Sequence, residues 1–150
     1  MPQSLANVLI HIIFSTKNRA PYIETEIQNP LYAYLATACR TCGCPAHKIG
    51  GTNDHVHIVC SLSRTITMAD FIGTIKADSS KWIKTQRTSL GVFSWQNGYG
   101  AFSIGQSQLD IVKKYIAGQN EHHRVRTFQE EFREFLRRYE IQFDERYVWD

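Results

Sequence analysis

Residues 42–62, CGCPAHKIGGTNDHVHIVCSL, decide the fold, because two apolar stretches flank a short polar turn. We predict a β-hairpin here, with its turn at residues 50–53 and its second strand at about residues 55–62. Side chains alternate between the two faces of a strand, so His55 and His57 project from the same face. Two imidazoles on one face of a rigid strand can bind a single divalent ion.

The sequence on either side of this hairpin supplies the other elements of one domain, residues 1–150. The predicted order is β, α, β, β, α, β, α, α, and its first six elements follow the ferredoxin-like plan. We therefore predict an α+β fold, a ferredoxin-like antiparallel sheet with helices on one face, plus a C-terminal helix. The other face is expected to be open for a substrate. The remaining predicted elements are a buried strand at 5–14, helices at about 25–40 and 67–86, a strand at 98–105, and helices ending near Glu121 and Tyr139.

Start signals accompany the predicted helices. Pro30 leaves two starts open for the first helix, one near residue 25 and one at Pro30 itself with Asn29 as the cap. Three pairs have the spacing of a capping box: Thr67 with Asp70, Ser107 with Asp110, and Thr127 with Glu130.

Composition is ordinary for a soluble globular protein of 150 residues, with 43% hydrophobic and 21% charged residues. No apolar run approaches the roughly 20 residues that a membrane span requires, so we expect a cytoplasmic protein without a membrane partner. The formal net charge is +3, and residues 1–120 carry a net +5 whereas residues 121–150 carry a net −2. A basic body is compatible with nucleic acid, although many solvated surfaces have the same bias.

The cysteines admit two interpretations. Cys39, Cys42 and Cys44 form a C-x-x-C-x-C cluster beside His47, which suits a structural zinc ion. Cys60, however, lies in a predicted core strand, and no second C-x-x-C pair follows. Reduced thiols in a cytosolic protein are therefore the favoured interpretation.

A second motif lies on the helix predicted to end near Glu121. Tyr115 and Gln119 are four residues apart and therefore share one face of that helix. A tyrosine oxygen can attack a phosphodiester, and a glutamine amide oxygen can bind a hard cation such as Mg²⁺, or Mn²⁺. The ordinary alternative is a packed tyrosine beside a solvated amide, and the glycine between them, Gly118, weakens the helix by about 1 kcal/mol.

The long helix at 67–86 has one apolar and one basic face, and the basic face could be solvated or could bind phosphate. Aromatic residues could stack on unpaired bases, but core packing is the favoured role for Tyr22, Phe93, Trp95 and Tyr99. The candidate DNA-binding residues are Lys17, Arg19, Lys76, Lys81, Lys84, Arg87, Lys113 and Lys114.

Each motif alone is short, but their combination and order are specific. The segments GGTNDHVHIVCSL, FSWQNGYGAFSI and YIAGQNEHH resemble the HUH single-tyrosine transposases of bacterial insertion sequences, including REP-associated relatives. The resemblance extends from about Leu5 to Trp149.

The resemblance implies a role for each matching residue. His55 and His57 correspond to the paired metal ligands, Tyr115 to the nucleophile and Gln119 to the third ligand, with Asp54 as a supporting residue. It also implies a metal-dependent endonuclease and strand transferase that cuts and rejoins single-stranded DNA at hairpins through a 5′-phosphotyrosine intermediate. The implied cofactor is Mg²⁺ or Mn²⁺, and the implied assembly is a homodimer in which Tyr115 serves its own or the partner's histidines.

Three alternatives stay open at this point. The chain could be a domesticated relative that processes palindromes in its host genome. It could be a single-stranded nucleic-acid-binding module without catalysis, although its strands lack an RNP-type aromatic pattern. It could also be a metallohydrolase that uses His55, His57 and water without a covalent intermediate.

Overall fold

The computed structural model describes residues 2–123 and 125–150. Its strands pair antiparallel in the order β2-β3-β1-β4, which is the ferredoxin-like arrangement, so the predicted fold class is confirmed. The elements are β1 (Leu9–Ser15), α1 (Thr25–Thr41), β2 (Ala46–Gly51), β3 (His55–Ser61), α2 (Met68–Lys84), β4 (Gly100–Ile104), α3 (Leu109–Ala117), α4 (Gln119–His122) and α5 (Phe128–Arg138).

Two of the three predicted helix caps are confirmed. The Thr67 side chain accepts a hydrogen bond from the backbone N–H of Asp70, and the Thr127 side chain accepts one from Glu130. Ser107 makes no such bond, because a 3₁₀ turn at residues 106–108 leads into α3 instead. That part of the prediction is wrong.

One face of the sheet is covered by α1 and α2, as predicted. The first helix begins at residue 25 and passes through Pro30, which settles its start. None of the helices in the described part of the chain is long and apolar enough to cross a bilayer. The buried side chains of this core come from alternate positions of the central strands and from both helices: Ile10, Ile12, Phe14, Val56, Ile58, Cys60, Leu31, Leu35, Phe71, Ile72 and Ile75.

The other face is not open, which corrects the prediction. The helix α5 carries a stripe of large apolar side chains that must be buried, and it packs over β1 and β4. His55 and His57 are consequently 0% exposed. Burial on both faces agrees with the nearly continuous apolar run of β1, LIHIIFS. The second core contains Ile13, Phe102, Phe128, Phe132, Phe135 and Leu136.

A close backbone approach positions α3 beside the hairpin. A Cβ atom on Gly50 would lie 2.6 Å from the backbone oxygen of Ile116, which is closer than any real contact of that kind. Only glycine allows α3 to approach β2 this closely. Tyr115 precedes Ile116 directly, so Gly50 determines how near the tyrosine helix lies to the sheet.

Lys76 on α2 holds the loop that precedes β4. Its ammonium group donates to the backbone oxygens of Gln96, Asn97 and Gly98 at 2.7, 3.1 and 2.8 Å. Burial lowers the pKa of Lys76 to about 8. Three backbone acceptors are satisfied by this one side chain, which is therefore a structural contact of the loop.

We predict that Gly50→Ala lowers the free energy of unfolding by about 1–3 kcal/mol, because the added methyl group collides with backbone that cannot move easily. Gly73→Ala is the matched control, since nothing lies within 4 Å of a Cβ built at that exposed position of α2. The control should be neutral or stabilising by up to about 1 kcal/mol. Urea denaturation followed by circular dichroism measures both, and equal stabilities would contradict the steric explanation.

We also predict that Lys76→Met destabilises the protein by about 1–3 kcal/mol, because three backbone oxygens lose their donor. Lys81→Met on the exposed face of the same helix should change the stability by less than about 0.5 kcal/mol. Thermal unfolding of both variants measures the difference. A Lys76 variant of unchanged stability but weakened, salt-sensitive DNA affinity would instead support the role in DNA binding.

Candidate active site

Polar side chains converge between the sheet and α5. β3 contributes His55 and His57, β1 contributes His11, and α5 contributes Glu131, all of which are buried. β1 and β3 are paired neighbours, and their alternating side chains bring all three imidazoles to the face that α5 covers. The result is a dry polar cluster inside an apolar second core.

The His55 ring is oriented by its neighbours. Its Nδ1 lies 2.7 Å from Oδ1 of Asp54 and 3.0 Å from Oγ1 of Thr52. A carboxylate only accepts hydrogen bonds, so Nδ1 carries a proton. Burial opposes ionisation of Asp54, but the bond to His55 holds the pKa of Asp54 below its ordinary value. Nε2, on the opposite side of the ring, faces the centre of the cluster.

His57 lies between two buried partners. Its Nδ1 is 2.8 Å from Nε2 of His11, and its Nε2 is 2.9 Å from Oε1 of Glu131. Burial lowers the pKa of His57 to about 4, and burial together with the nearby His57 lowers the pKa of His11 well below its usual range. Both rings are therefore neutral at neutral pH, which is the state in which an imidazole binds a metal.

Glu131 is the centre of the cluster. Burial alone would raise the pKa of its carboxyl, but the neighbouring imidazoles of His123, His57 and His55 hold the pKa below its ordinary value. Its Oε1 lies 3.7 Å from Nε2 of His55 and 3.2 Å from Nε2 of His123. The contact with His123 does not have the geometry of a hydrogen bond. Its Oε2 accepts from Nε2 of Gln119 at 3.1 Å.

Tyr115 faces the histidines of its own chain. Its ring centroid lies 5.8 Å from that of His57, and its hydroxyl donates to Oε2 of Glu131. Nη2 of Arg126 donates to the tyrosine oxygen at 2.9 Å. Burial raises the pKa of Tyr115 above its ordinary value, and the neighbouring carboxylate raises it further. The phenol therefore stays protonated at neutral pH until an acceptor takes its proton.

Gln119 joins the cluster although the helix is interrupted before it. The tyrosine helix ends at Ala117, and Gln119 begins the short helix α4 after Gly118. Its Oε1 lies 2.8 Å from Nε2 of His55. The structure thus brings Tyr115 and Gln119 to the same histidine pair, as the sequence predicted, across a local break at Gly118.

Two clefts reach this cluster, and both are lined by Arg126. The larger, about 680 Å³, borders Asp54 and His123. The smaller, about 360 Å³, borders Tyr115 and Arg138. Arg126 also pairs with Glu134, and its side chain is 25% exposed. An arginine between two clefts and in contact with the tyrosine hydroxyl suits a phosphate that enters from solvent.

The cluster has the donor set of a divalent metal site. Ligand atoms of His55, His57 and Glu131 all lie within 4.8 Å of one another. Neutral imidazole nitrogens and a carboxylate oxygen are the ligands that divalent transition ions prefer. The bond from His55 to Asp54 is the outer contact that usually orients a metal-bound histidine. These residues therefore fit a divalent ion.

Four of the eight candidate DNA-binding residues lie away from the cluster. The sheet separates α2 from His55 and His57, so Lys81, Lys84 and Arg87 lie on the opposite side of the sheet from the cluster. The Arg87 guanidinium pairs with two carboxylates, Glu24 and Glu26. The ammonium of Lys76 is committed to the backbone oxygens of the loop that precedes β4.

Other basic residues lie nearer to the cluster. Lys113 and Lys114 are neighbours of Tyr115 on α3, and Lys114 is exposed. Lys17 is exposed in the loop after β1, and the Arg19 guanidinium lies 5.8 Å from the centroid of the Trp149 ring. Their contacts with DNA stay predictions.

Core packing, the favoured role of the aromatic residues, is found for three of the four. Phe93 and Trp95 are buried in the first core and Tyr22 packs against it, whereas Tyr99 is 37% exposed, so the prediction is wrong for that residue. All four cysteines are free, and burial raises the pKa of the Cys39 thiol to about 12. His47 hydrogen-bonds to Ser61.

The sequence analysis missed Glu131, His11, His123 and Arg126. A signal for Glu131 was present, because residues 128, 131, 132, 135 and 136 form the apolar stripe of α5 and Glu131 occupies one position of it. A carboxylate in such a stripe needs a buried partner. His11 likewise interrupts an apolar strand. Neither His123 nor Arg126 carries a comparable signal in the sequence.

Comparison with known proteins identifies a family that matches most of the chain. The sequence model of the family described as "Transposase IS200 like" matches residues 4–119, a segment that includes both histidines of the H-x-H motif, Tyr115 and Gln119. No curated protein matches the chain significantly.

Two solved structures share the fold. One is a candidate transposase from Deinococcus radiodurans R1, with a TM-score of 0.62 and 18% identity over 79% of this chain and 98% of that one. The other is a REP-associated tyrosine transposase bound to a REP hairpin, with a TM-score of 0.60 and 14% identity over 82% of this chain and 72% of that one. The family match covers most of the chain, and the predicted resemblance to HUH single-tyrosine transposases is confirmed. The chain therefore belongs to the IS200-like transposase family.

Proposed function

We propose that this protein is a metal-dependent DNA transposase that cleaves and rejoins single-stranded DNA at hairpin-marked ends through a 5′-phosphotyrosine intermediate. One observation carries the proposal. The hydroxyl of Tyr115, the imidazoles of His55 and His57, and the amide of Gln119 meet around one buried carboxylate within a single chain.

The residues that would hold the ion are His55, His57 and Gln119, whose oxygen and nitrogen atoms suit Mg²⁺ or Mn²⁺. When bound, the ion supplies positive charge that polarises the scissile phosphate. Asp54 keeps the proton on Nδ1 of His55, so a neutral ring leaves Nε2 as the ligand atom. His11 has the same orienting role toward His57.

Tyr115 would be the nucleophile. Its oxygen attacks phosphorus, the bond from phosphorus to the 3′ oxygen breaks, and the products are a tyrosine 5′-phosphodiester and a free 3′ hydroxyl. The proton of the phenol passes to Oε2 of Glu131, which already accepts its hydrogen bond, and from there to solvent, from which the leaving 3′ oxygen takes up a proton. Arg126, 2.9 Å from the same phenol oxygen, offsets the negative charge that develops there.

The stored ester allows rejoining without a nucleotide cofactor. A second 3′ hydroxyl attacks the phosphotyrosine, a new phosphodiester forms, and Tyr115 leaves with its oxygen stabilised by the same Arg126 contact. The sequence has no glycine-rich phosphate-binding loop for ATP. The tyrosine ester conserves the energy of the broken phosphodiester bond, which agrees with the absence of an ATP-binding loop from the sequence.

DNA hairpins are the partner that the comparison favours, because one structural neighbour is bound to a REP hairpin. The resemblance also implies a homodimer. The histidines and Tyr115 meet within one chain, so the site does not require a second copy, and the homodimer stays a prediction that light scattering of the purified protein would test.

We predict that Tyr115→Phe abolishes the covalent protein–DNA adduct, because the nucleophilic oxygen is removed while the ring is retained. The measurement uses a labelled single-stranded hairpin with Mg²⁺ or Mn²⁺, and the adduct is scored as a slowly migrating band on a denaturing gel. Tyr147→Phe is the matched control, since Tyr147 is 64% exposed and lies outside the cluster. The control should give the adduct yield of the unaltered protein.

Equal adduct yields from Tyr115→Phe and the unaltered protein would refute the assignment of the nucleophile. Cleavage without any covalent band would favour the metallohydrolase, and binding without cleavage would favour the non-catalytic module. The domesticated palindrome-processing nuclease shares this chemistry and differs in its target, so cleavage of scattered host palindromes in preference to paired element ends would identify it.

A further inference from the structure

Glu131 connects two parts of the site that the proposed function treats separately. Its Oε1 faces the nitrogens of His57 and His55, at 2.9 and 3.7 Å. Its Oε2 accepts from the hydroxyl of Tyr115 and from the amide of Gln119. The carboxylate is 0% exposed, and it belongs to α5, which lies beyond the residues that match the family.

The distances from Oε1 of Glu131 to the neighbouring imidazole nitrogens are those expected of atoms that bind the same ion. Ligand atoms bound at about 2.0–2.2 Å to one ion lie no more than about 4.4 Å apart. Both distances from Oε1 to the imidazole nitrogens fall within that limit, as does the 2.8 Å between Gln119 Oε1 and His55 Nε2. These three distances are therefore compatible with one ion that has the Glu131 carboxylate among its ligands.

Charge compensation favours the same role. A buried carboxylate is costly unless a cation or several donors compensate it. Arg126, at 3.9 Å, approaches Oε2 and not Oε1. The groups nearest Oε1 are imidazole nitrogens, which are themselves metal ligands when neutral.

We propose that Glu131 is a ligand of the divalent ion, binding through Oε1 while Oε2 positions the hydroxyl of Tyr115. This inference rests on the proposed function and adds a fourth protein ligand, contributed by α5. The ion, the nucleophile and α5 are then joined through one side chain. Two imidazoles and a carboxylate suit Mn²⁺, Co²⁺ or Zn²⁺ better than Mg²⁺, so Mn²⁺ should bind more tightly than Mg²⁺.

Metal binding tests the proposal without reference to activity. Calorimetric titration with Mn²⁺ gives the affinity, and the visible absorption of bound Co²⁺ reports the number and arrangement of its ligands. We predict that Glu131→Gln weakens Mn²⁺ binding at least about tenfold and alters the Co²⁺ spectrum. Glu130→Gln is the matched control, because it removes the same charge from the exposed neighbouring position of α5 and should leave both unchanged.

A second variant covers the case in which Glu131→Gln does not fold, which circular dichroism would detect. Glu131→Asp keeps the charge and withdraws the carboxylate by one methylene group, so the proposal requires a changed Co²⁺ spectrum here too. Variants at Glu131 that fold and bind Mn²⁺ and Co²⁺ as the unaltered protein does would overturn the proposal.

His57→Ala and the adduct assay separate this proposal from the proposed function. If His57→Ala weakens Mn²⁺ binding and the Glu131 variants do not, Glu131 is rejected as a ligand and the histidines are retained as ligands. An unaltered protein that neither binds Mn²⁺ nor forms the adduct rejects both. Tighter binding of Mg²⁺ than of Mn²⁺ also counts against the ligand set that contains Glu131.

Discussion

The buried carboxylate of Glu131 is the interaction on which the second half of the structure depends. An anion cannot remain in an apolar core unless donors surround it, and here they come from three directions. β3 supplies His57, α3 supplies the hydroxyl of Tyr115, and α4 supplies the amide of Gln119. Packing α5 against the sheet therefore requires the same side chains that the proposed chemistry uses.

This arrangement couples stability to function in a specific way. The first core, between the sheet and the helices α1 and α2, is almost wholly apolar and contains no residue of the proposed chemistry. The second core is smaller, and its aromatic side chains surround the polar cluster. Excluding water from the cluster strengthens each charge interaction inside it. The same burial keeps the phenol of Tyr115 protonated, so the proposed reaction depends on a positioned acceptor.

Much of the fold and half of the site could be predicted from the sequence. Strand alternation predicted that His55 and His57 share one face, and helical spacing predicted that Tyr115 and Gln119 lie on one side of their segment. Both rules depend only on local geometry, and both Tyr115 and Gln119 do reach the histidine pair. The partner of these residues, Glu131, could not be recognised in the same way. It lies among other acidic residues in FQEEFREFLRR, and only the packing of α5 distinguishes it from them. The covering of the second sheet face by α5 was not predicted for the same reason, since the sequence of a helix does not show which face of a sheet it packs against.

The close approach at Gly50 bears on how this chain tolerates substitution. The distance between the tyrosine helix and the hairpin depends on main-chain atoms of Ile116 and on the missing side chain at position 50. Contacts between main-chain atoms do not depend on which side chains surround them. Replacement of the side chains around this contact can therefore leave the tyrosine helix in place, as long as position 50 remains glycine.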